Sequence, residues 1–271
     1  MSRFHEWLSP DGSPWAVFYR QESAYLIRFI GLADFIVSGS ADNIDMYPVH
    51  GVPDDTLDYL YLNLVEPLAI SHQGDLVLHA GAVEVGGVAV LFSGPSGSGK
   101  STLVASFAAG EFRILSDDGV QLGKSDSKYW VHPQHNAIRL WEDSGDALLS
   151  QFKGASRVAN SCEKATFVIE DKSAFCDEIC PLRHIYFLED VAAEEISICP
   201  LSGAEAMIKL ATHSFMLDVS DKTSLTRKFE SISKMVALPI FFSLAYPWRY
   251  ESLPEVREAV VQHLRAGQWE C

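Results

Sequence analysis

The chain has 271 residues, of which 48% are hydrophobic and 21% are charged, so it can bury a full core. Its formal net charge of −15 disfavours nucleic acid and anionic membranes as partners. No apolar run approaches the roughly 20 residues that a membrane helix needs, and the first residues lack the apolar core of a signal peptide. We therefore expect a cytoplasmic protein whose five scattered cysteines are reduced thiols.

The first part of the chain has the pattern of an antiparallel sheet. Residues 15–49 are rich in aromatic and β-branched side chains broken by short polar turns, which predicts three or four strands. Apolar residues at helical spacing then predict an amphipathic helix to about Ile70, which Pro67 is expected to kink or end early. We predict a β-rich N-terminal lobe with this linking helix over residues 1–73, and a second domain over residues 74–271.

A strand, a glycine loop and a helix follow one another in the second domain. The text LVLHAGAVEVGGVAVLFSG predicts two strands around the Gly86-Gly87 turn, and the second strand leads into the loop. The apolar, alanine-rich run Thr102–Ala109 predicts a short helix that ends at Gly110. The next segment, FRILSDDGVQL, predicts a strand with two adjacent aspartates at its end.

The remaining pattern alternates strands and helices. Ser202 and Glu205 have the spacing of a capping box at the start of a helix. The predicted elements are strands at Lys128–Val131, Thr166–Glu170, His184–Glu189 and Pro239–Tyr246, and helices at Ser202–His213 and Pro254–Ala266. Together they predict an α/β fold with a mixed β-sheet and a β-rich N-terminal lobe.

The glycine loop satisfies the motif G-x-x-x-x-G-K-[ST] in full. Its glycines allow successive backbone N–H groups to turn toward phosphates, while Lys100 reaches the β- and γ-phosphates and the Ser101 hydroxyl can ligate Mg²⁺. The helix behind it adds the positive end of its dipole. We predict binding of a nucleoside triphosphate with Mg²⁺ by Gly94, Pro95, Ser96, Gly97, Ser98, Gly99, Lys100, Ser101 and Thr102.

Two acidic residues and a histidine are expected near this loop. Asp117 follows Lys100 by only 17 residues, whereas an ATP-binding cassette has a long helical insert between its two motifs. Asp117 and Asp118 end a predicted strand, where Walker-type sites hold an acidic group for the metal or the nucleophile. Pairing across Gly86-Gly87 predicts that His79 lies at the same end of the sheet, where an imidazole can orient or tune a base.

His79, the glycine loop and Ser116-Asp117-Asp118 together resemble the HPr kinase/phosphorylase superfamily, which shares its P-loop core with ATP-dependent phosphoenolpyruvate carboxykinases. The resemblance is strong from about Leu76 to Leu122. Later segments, such as LSGAEAMIKLATHSF and PWRYESLPEVREAVVQHL, are similar to bacterial HPr kinase-related proteins, some of them encoded beside lasso-peptide biosynthesis enzymes. Members of that subgroup phosphorylate a serine, typically at the C-terminus, of a ribosomally made precursor peptide.

The resemblance implies a role for each matching residue. Asp118 would be the general base toward the acceptor serine, and His79 would be its partner. Asp117 and Ser101 would hold Mg²⁺, and Lys100 would stabilise charge on the transferred phosphoryl group. The second domain would then be the catalytic domain.

The sequence departs from the family downstream. Bifunctional HPr kinases carry E-I-R-G-x-G, whereas the nearest text here is AIRLWED, which lacks those glycines and argues against phosphorylase activity and against HPr as the acceptor. Within it, Arg139 is a candidate contact for phosphate or substrate, or a surface ion pair. An HPr-type kinase, a small-molecule kinase and an ATP-hydrolysing regulatory protein are the alternatives to a peptide kinase. Homo-oligomers are compatible with the sequence, which contains no interface signal.

Overall fold

The computed structural model describes residues 1–126, 128–148, 155–158, 164–171, 173–188 and 193–266. The chain forms two compact units, of which the first contains Met1–Val77 and Phe215–Glu230 and the second contains Leu78–Ser214 and Ser231–Cys271. The predicted boundary after residue 73 stays a prediction about folding domains. In the part of the chain given above, no helix is both long enough and apolar enough to span a bilayer.

The first unit contains an antiparallel sheet in which each strand pairs with the next along the chain. Four of its strands lie within or next to residues 15–49, as predicted, and the N-terminal strand was not predicted. The strands are β1 (Ser2–Leu8), β2 (Pro14–Arg20), β3 (Ala24–Phe29), β4 (Ala33–Ser38) and β5 (Ile44–Pro48). Aromatic side chains from one face, among them Phe18, Phe29 and Phe35, form the core of this unit.

A helical segment follows the sheet and packs Leu57, Leu60 and Leu68 into the same core. It consists of α1 (Asp54–Leu60), a π-helical turn (Tyr61–Val65) and α2 (Glu66–Gln73). The helix does not end early at Pro67, which was one of the two predicted outcomes, because it continues to Gln73. Pro67 lies in the first turn of α2, directly after the π turn, where the change in hydrogen-bond spacing accommodates a residue without an N–H group.

The second unit is built around a mixed sheet with the strand order β6-β10-β11-β15-β8-β7-β9, to which β16 and β17 are joined beside β15. Strand β15 runs parallel to β8 and β17, whereas β7 is antiparallel to β8 and β9. A separate small sheet has the order β12-β14-β13. The strands are β6 (Leu76–Leu78), β7 (Ala80–Val85), β8 (Val88–Ser93), β9 (Arg113–Ser116), β10 (Val120–Ser125), β11 (Lys128–His132), β12 (Ala137–Leu140), β13 (Ala155–Val158), β14 (Ala165–Ile169), β15 (Cys180–Leu188), β16 (Ser197–Pro200) and β17 (Phe241–Ala245).

Helices complete the second unit, apart from α6, which begins in the first unit. They are α3 (Lys100–Ala109), α4 (Glu142–Leu148), α5 (Gly203–His213), α6 (Lys222–Met235) and α7 (Leu253–Ala266), with a 3-10 turn at Tyr250–Ser252. The capping box of Ser202 and Glu205 is present at the start of α5. Phe92, Phe107 and Tyr186 pack in the core between sheet and helices, and the predicted mixed α/β architecture is confirmed. The predicted end of one strand, Glu189, lies outside the described residues.

The two aspartates follow the end of a strand, as predicted, but the segment also contains a second strand that was not predicted. FRILSDDGVQL forms two strands, β9 and β10, and the aspartates occupy the turn between them. Asp118 has a left-handed backbone with φ of 65°, which aspartate tolerates better than most residues and which breaks the extended run. The Ser116 hydroxyl donates a hydrogen bond to the Gly119 carbonyl and closes the turn. Both aspartates therefore lie beyond the end of β9.

Candidate active site

Strand register brings three separate segments to one edge of the sheet. Ala80 at the start of β7 pairs with Ser93 at the end of β8. Ala82 pairs with Ser116 at the end of β9. Because β7 is antiparallel to both neighbours, the residue before β7 and the segments after β8 and β9 leave the sheet together. These are His79, the glycine loop and the aspartate turn.

The glycine loop joins β8 to α3 and has the geometry of a phosphate cradle. Gly97 and Gly99 have left-handed backbones with φ of 84° and 89°, which residues with side chains rarely adopt. Gly99 is the N-cap of α3, so the first free N–H groups of this helix and the positive end of its dipole face the loop. A Cβ at Gly99 would also lie 2.9 Å from the Tyr246 hydroxyl oxygen.

Lys100 is buried inside the loop, with 6% of its surface exposed. Its Nζ donates hydrogen bonds to the Gly94 and Pro95 carbonyls at 3.0 and 2.7 Å. Burial lowers the pKa of Lys100 to about 8, while the charges of Asp118 and Asp117 oppose that shift. A lysine ammonium held by the loop at the edge of a small cavity is suited to neutralising phosphate oxygens.

Asp117 is held against the sheet by a close approach of backbone. A Cβ at Gly81 would lie 2.4 Å from Val104 Cγ2 and 3.3 Å from Asp117 Oδ1, so the glycine lets α3 pack closely on β7 and leaves space beside this carboxylate. Asp117 Oδ2 accepts a hydrogen bond from the Arg139 backbone N–H at 3.0 Å. Burial, followed by repulsion from Asp118, raises the pKa of Asp117.

The surroundings of Asp117 fit a hard divalent cation. Among the described residues Asp117 Oδ1 is a buried oxygen with no hydrogen-bond partner, which is costly unless another group compensates its charge. The Ser101 hydroxyl is close enough to lower the pKa of this carboxyl. A carboxylate oxygen and a hydroxyl beside a phosphate cradle are ligands that Mg²⁺ accepts in nucleotide sites.

Asp118 is placed between the side chains of His79 and Arg139. His79 Nε2 lies 3.8 Å from Asp118 Oδ1, and Arg139 Nη1 lies 3.6 Å from Oδ2. The Asp118 side chain is 13% exposed, and burial by itself raises its pKa. The interaction with His79 and the charges of Lys164 and Arg139 outweigh burial, so the pKa of Asp118 lies below its ordinary value.

Most of the sequence-predicted residues line one small cavity, whereas Gly94, Pro95, Ser98 and Asp117 do not. The cavity is lined by His79, Ser96, Gly97, Gly99, Lys100, Ser101, Thr102, Asp118 and Arg139, together with Leu140, Trp141 and Lys164. Arg139, for which sequence alone left two interpretations, thus lies at this cavity and contacts Asp118. The Asp117 carboxyl interacts with two residues of this lining, Ser101 and Asp118.

Sequence reasoning missed Lys164, which reaches the cavity through the small sheet. Leu140 at the end of β12 pairs with Ala165 at the start of β14, so the residue before β14 is placed beside Trp141. Lys164 Nζ lies 5.8 Å from the centre of the Trp141 ring, and its charge affects Lys100, Asp117 and Asp118. No local motif marks this lysine, and only the β12–β14 register could have identified it.

His213, the last residue of α5, also lies near the site. Its carbonyl accepts a hydrogen bond from the His79 backbone N–H at 2.7 Å, which ties the end of α5 to the segment between β6 and β7. Burial lowers the pKa of His213 to about 4, and the charges of His79 and Lys100 act in the same direction. His213 therefore supports His79 through the backbone and is neutral at neutral pH.

No protein-family model matches this chain, and no curated protein matches it. Among solved structures it is similar to the HPr(Ser) kinase/phosphatase from Coxiella burnetii, with 11% sequence identity and a TM-score of 0.37. The alignment covers 71% of this chain and 97% of that chain. A likeness this distant carries no functional conclusion, and the chemistry of the chain has to be derived from the residues of the site.

Proposed function

We propose that this chain is an ATP-dependent kinase that transfers the γ-phosphoryl group to a serine hydroxyl of a peptide. One observation carries the proposal: a glycine loop with a buried lysine opens into the same cavity as the Asp118 carboxylate, which His79 and Arg139 flank. A phosphate cradle with an oriented carboxylate at its end is what in-line transfer to an alcohol requires.

The loop and the helix behind it bind the donor. Main-chain N–H groups of Gly97 and Gly99 and the start of α3 face the phosphates, so binding exploits fixed dipoles that need no reorganisation. Lys100 adds a full positive charge at the β- and γ-phosphates. Charge that moves onto the leaving oxygen during transfer is thereby stabilised.

Asp117 and Ser101 supply the metal ligands. Bound there, Mg²⁺ would neutralise phosphate charge and orient the terminal phosphoryl group. The Arg139 N–H holds Asp117 Oδ2, and among the described residues the buried Oδ1 has no hydrogen-bond partner, which leaves it available to a cation. A raised pKa of Asp117 reflects the same need for a neighbouring positive charge.

Asp118 accepts the proton of the attacking hydroxyl. Its lowered pKa keeps it ionised at neutral pH, and a weakly basic carboxylate is sufficient because the loose transition state of phosphoryl transfer builds up little charge on the nucleophile before the proton leaves. His79 and Arg139 each face one carboxylate oxygen and hold the plane of the group toward the cavity. Both are positioning residues in this scheme.

The acceptor is proposed from charge and from the family resemblance. A net charge of −15 attracts basic peptides and repels nucleic acid. Resemblance to HPr kinase-related proteins narrows the acceptor to the C-terminal serine of a ribosomally made precursor peptide of the lasso type.

The strongest alternative is an ATP-hydrolysing regulatory protein, because water can occupy the position of the acceptor hydroxyl beside Asp118. A small-molecule kinase and an HPr-type kinase use the same donor site. Incubation with γ-labelled ATP distinguishes a peptide kinase from a hydrolase. The label incorporated is compared between a precursor peptide that ends in serine and the same peptide ending in alanine. We expect label on the serine peptide only. Label released solely as inorganic phosphate would refute the kinase.

The Asp118→Asn variant tests in the same experiment whether Asp118 is the general base. It keeps the size of the side chain and removes its basicity, so we expect transfer to fall by about 10²–10⁴-fold while ATP binding is retained. Arg3→Gln, which changes an exposed arginine in β1, is a control for altered surface charge. Normal transfer by Asp118→Asn would show that this carboxylate is not the base.

A further inference from the structure

A second, larger cavity adjoins the small cavity lined by Lys100 and Asp118, which we call the phosphate cavity. It has a volume of about 720 Å³, within the usual range for small-molecule sites. The two cavities share Gly97, Gly99, Thr102 and Trp141 in their linings. A single extended ligand can therefore occupy both.

The linings of the two cavities indicate how a bound triphosphate would be oriented. Asp118, His79 and Lys164 line only the phosphate cavity, whereas Trp248, Arg249 and Tyr250 line only the larger cavity. A triphosphate whose terminal phosphorus faces Asp118 therefore has its other end at the larger cavity. The acceptor hydroxyl must approach from the Asp118 end, so the acceptor is not the ligand that fills the larger cavity.

Exposed aromatic side chains line the larger cavity. Trp141 and Trp248 have 44% and 47% of their surfaces exposed, and Tyr250 has 37%, although side chains of this size are usually mostly buried. Flat aromatic faces bind nucleobases by stacking, in which every base can take part. This lining is suited to a planar, heterocyclic group rather than to further phosphates.

A few fixed polar groups accompany the aromatic lining. The Tyr250 hydroxyl donates a hydrogen bond to Asp143 Oδ2 at 3.0 Å and lies 2.9 Å from Ser144 Oγ. Ser98, with 2% of its surface exposed, has a buried Oγ without a hydrogen-bond partner among the described residues. A mostly apolar cavity with a small number of placed polar groups is the usual form of a specific small-molecule site.

We propose that this cavity binds the nucleoside of the phosphoryl donor, with the base against Trp248 and Trp141, so that the donor is a nucleoside triphosphate and not an inorganic polyphosphate. The inference rests on the proposed function, since it takes the glycine loop as the triphosphate site. It adds the residues that recognise the base, none of which belongs to the glycine motif.

Calorimetry with two probes tests the inference. A non-hydrolysable ATP analogue and inorganic tripolyphosphate, each with Mg²⁺, are titrated into the full chain and into Trp248→Ala and Trp248→Phe. We expect the analogue to bind the unmodified chain at least about tenfold more tightly than tripolyphosphate. Trp248→Ala should weaken the analogue at least about fivefold, the usual loss for one base stack, and leave tripolyphosphate unchanged. Trp248→Phe, which retains a ring, should keep most of the affinity.

Two controls separate the nucleoside site from the phosphate site. Trp130→Phe changes a tryptophan on β11, outside both cavities, and should alter neither affinity. Lys100→Ala should weaken both probes. Equal affinity of the two probes for the unmodified chain, or equal losses of both in Trp248→Ala, would overturn the nucleoside inference and leave the phosphate cradle intact. Binding of neither probe would overturn the proposed function together with the inference.

Discussion

His79 Nε2 lies 3.8 Å from Asp118 Oδ1, and this pair crosses from the start of one strand to the turn after another. The contact exists because β7 is paired with β9 and begins beside the end of β8. Arg139 faces the other carboxylate oxygen from the small sheet. Three separate parts of the second unit therefore determine the direction of one carboxylate, which is expected of a group whose orientation matters for chemistry.

The first prediction concerns this pair. His79→Gln should lower kcat by about tenfold or more and leave KM for ATP within about twofold, because in the proposed mechanism His79 acts on Asp118 and not on the donor. In an Asp118→Asn background the same change should cost little further activity, since the group that it orients is no longer a base. Steady-state kinetics of the four proteins provide the measurement. Fully additive losses would contradict a shared role.

The second prediction concerns Lys100. Lys100→Ala removes the ammonium from the loop, so nucleotide affinity and turnover should fall together, each by about tenfold or more. Lys128→Ala, which removes an exposed lysine from β11, is the matched control and should have normal kinetics. Binding measured by calorimetry and turnover measured with labelled ATP test both parts. Unchanged values in Lys100→Ala would contradict the phosphate-cradle assignment.

The third prediction concerns the glycine behind Asp117. Gly81→Ala places a methyl group 2.4 Å from Val104 Cγ2 and 3.3 Å from Asp117 Oδ1, so it should destabilise the fold by about 1–3 kcal/mol and weaken the Mg²⁺ dependence of activity. Gly203→Ala is the control, because its Cβ would meet the Val236 carbonyl at an ordinary 3.4 Å. Urea unfolding and magnesium titration of activity give the two readouts. Normal stability in Gly81→Ala would show that β7 and α3 can separate at no cost.

The loop and its neighbours could be predicted because their signals are local. The loop has a fixed spacing, and the Gly86-Gly87 turn determines which residue of β7 faces the end of β8, so the position of His79 follows from counting. The aspartates at the end of a strand were predicted as well, but the second strand, β10, was not. The turn that leads into it depends on the positive φ that Asp118 adopts, which no motif spacing marks.

Long-range pairing accounts for what sequence reasoning did not find. Lys164 reaches the site because β14 pairs with β12, and Gly81 matters because Val104 of α3 packs against it. Trp248 lies in the segment after β17 and lines a cavity with residues more than a hundred positions earlier in the chain. Each of these relationships depends on the packing of distant segments, which periodicity and motif spacing do not encode.

The final prediction concerns a buried histidine outside the site. His184 has 6% of its surface exposed, and its Nδ1 lies 3.2 Å from the Tyr186 hydroxyl, which in turn lies 2.8 Å from His263 Nδ1. Burial lowers the pKa of His184 to about 4, and the nearby charges of His263 and Arg183 act in the same direction. His184 is therefore neutral in the folded chain at pH 5, where an unfolded histidine with a pKa near 6.5 is mostly protonated.

This difference makes stability depend on pH with a definite sign. Between about pH 6.5 and pH 4 the unfolded chain binds the extra proton, so the free energy of unfolding falls as the pH falls, by about 1–2 kcal/mol for His184 at pH 5 relative to pH 8. In His184→Gln the fall in the free energy of unfolding from pH 8 to pH 5 should be smaller by that amount. The other titratable groups contribute equally to the variant and to the unmodified chain. Urea unfolding at pH 5 and pH 8 measures it, with the exposed His50→Gln as control. An identical fall in His184→Gln and in the unmodified chain would mean that His184 takes up its proton without unfolding.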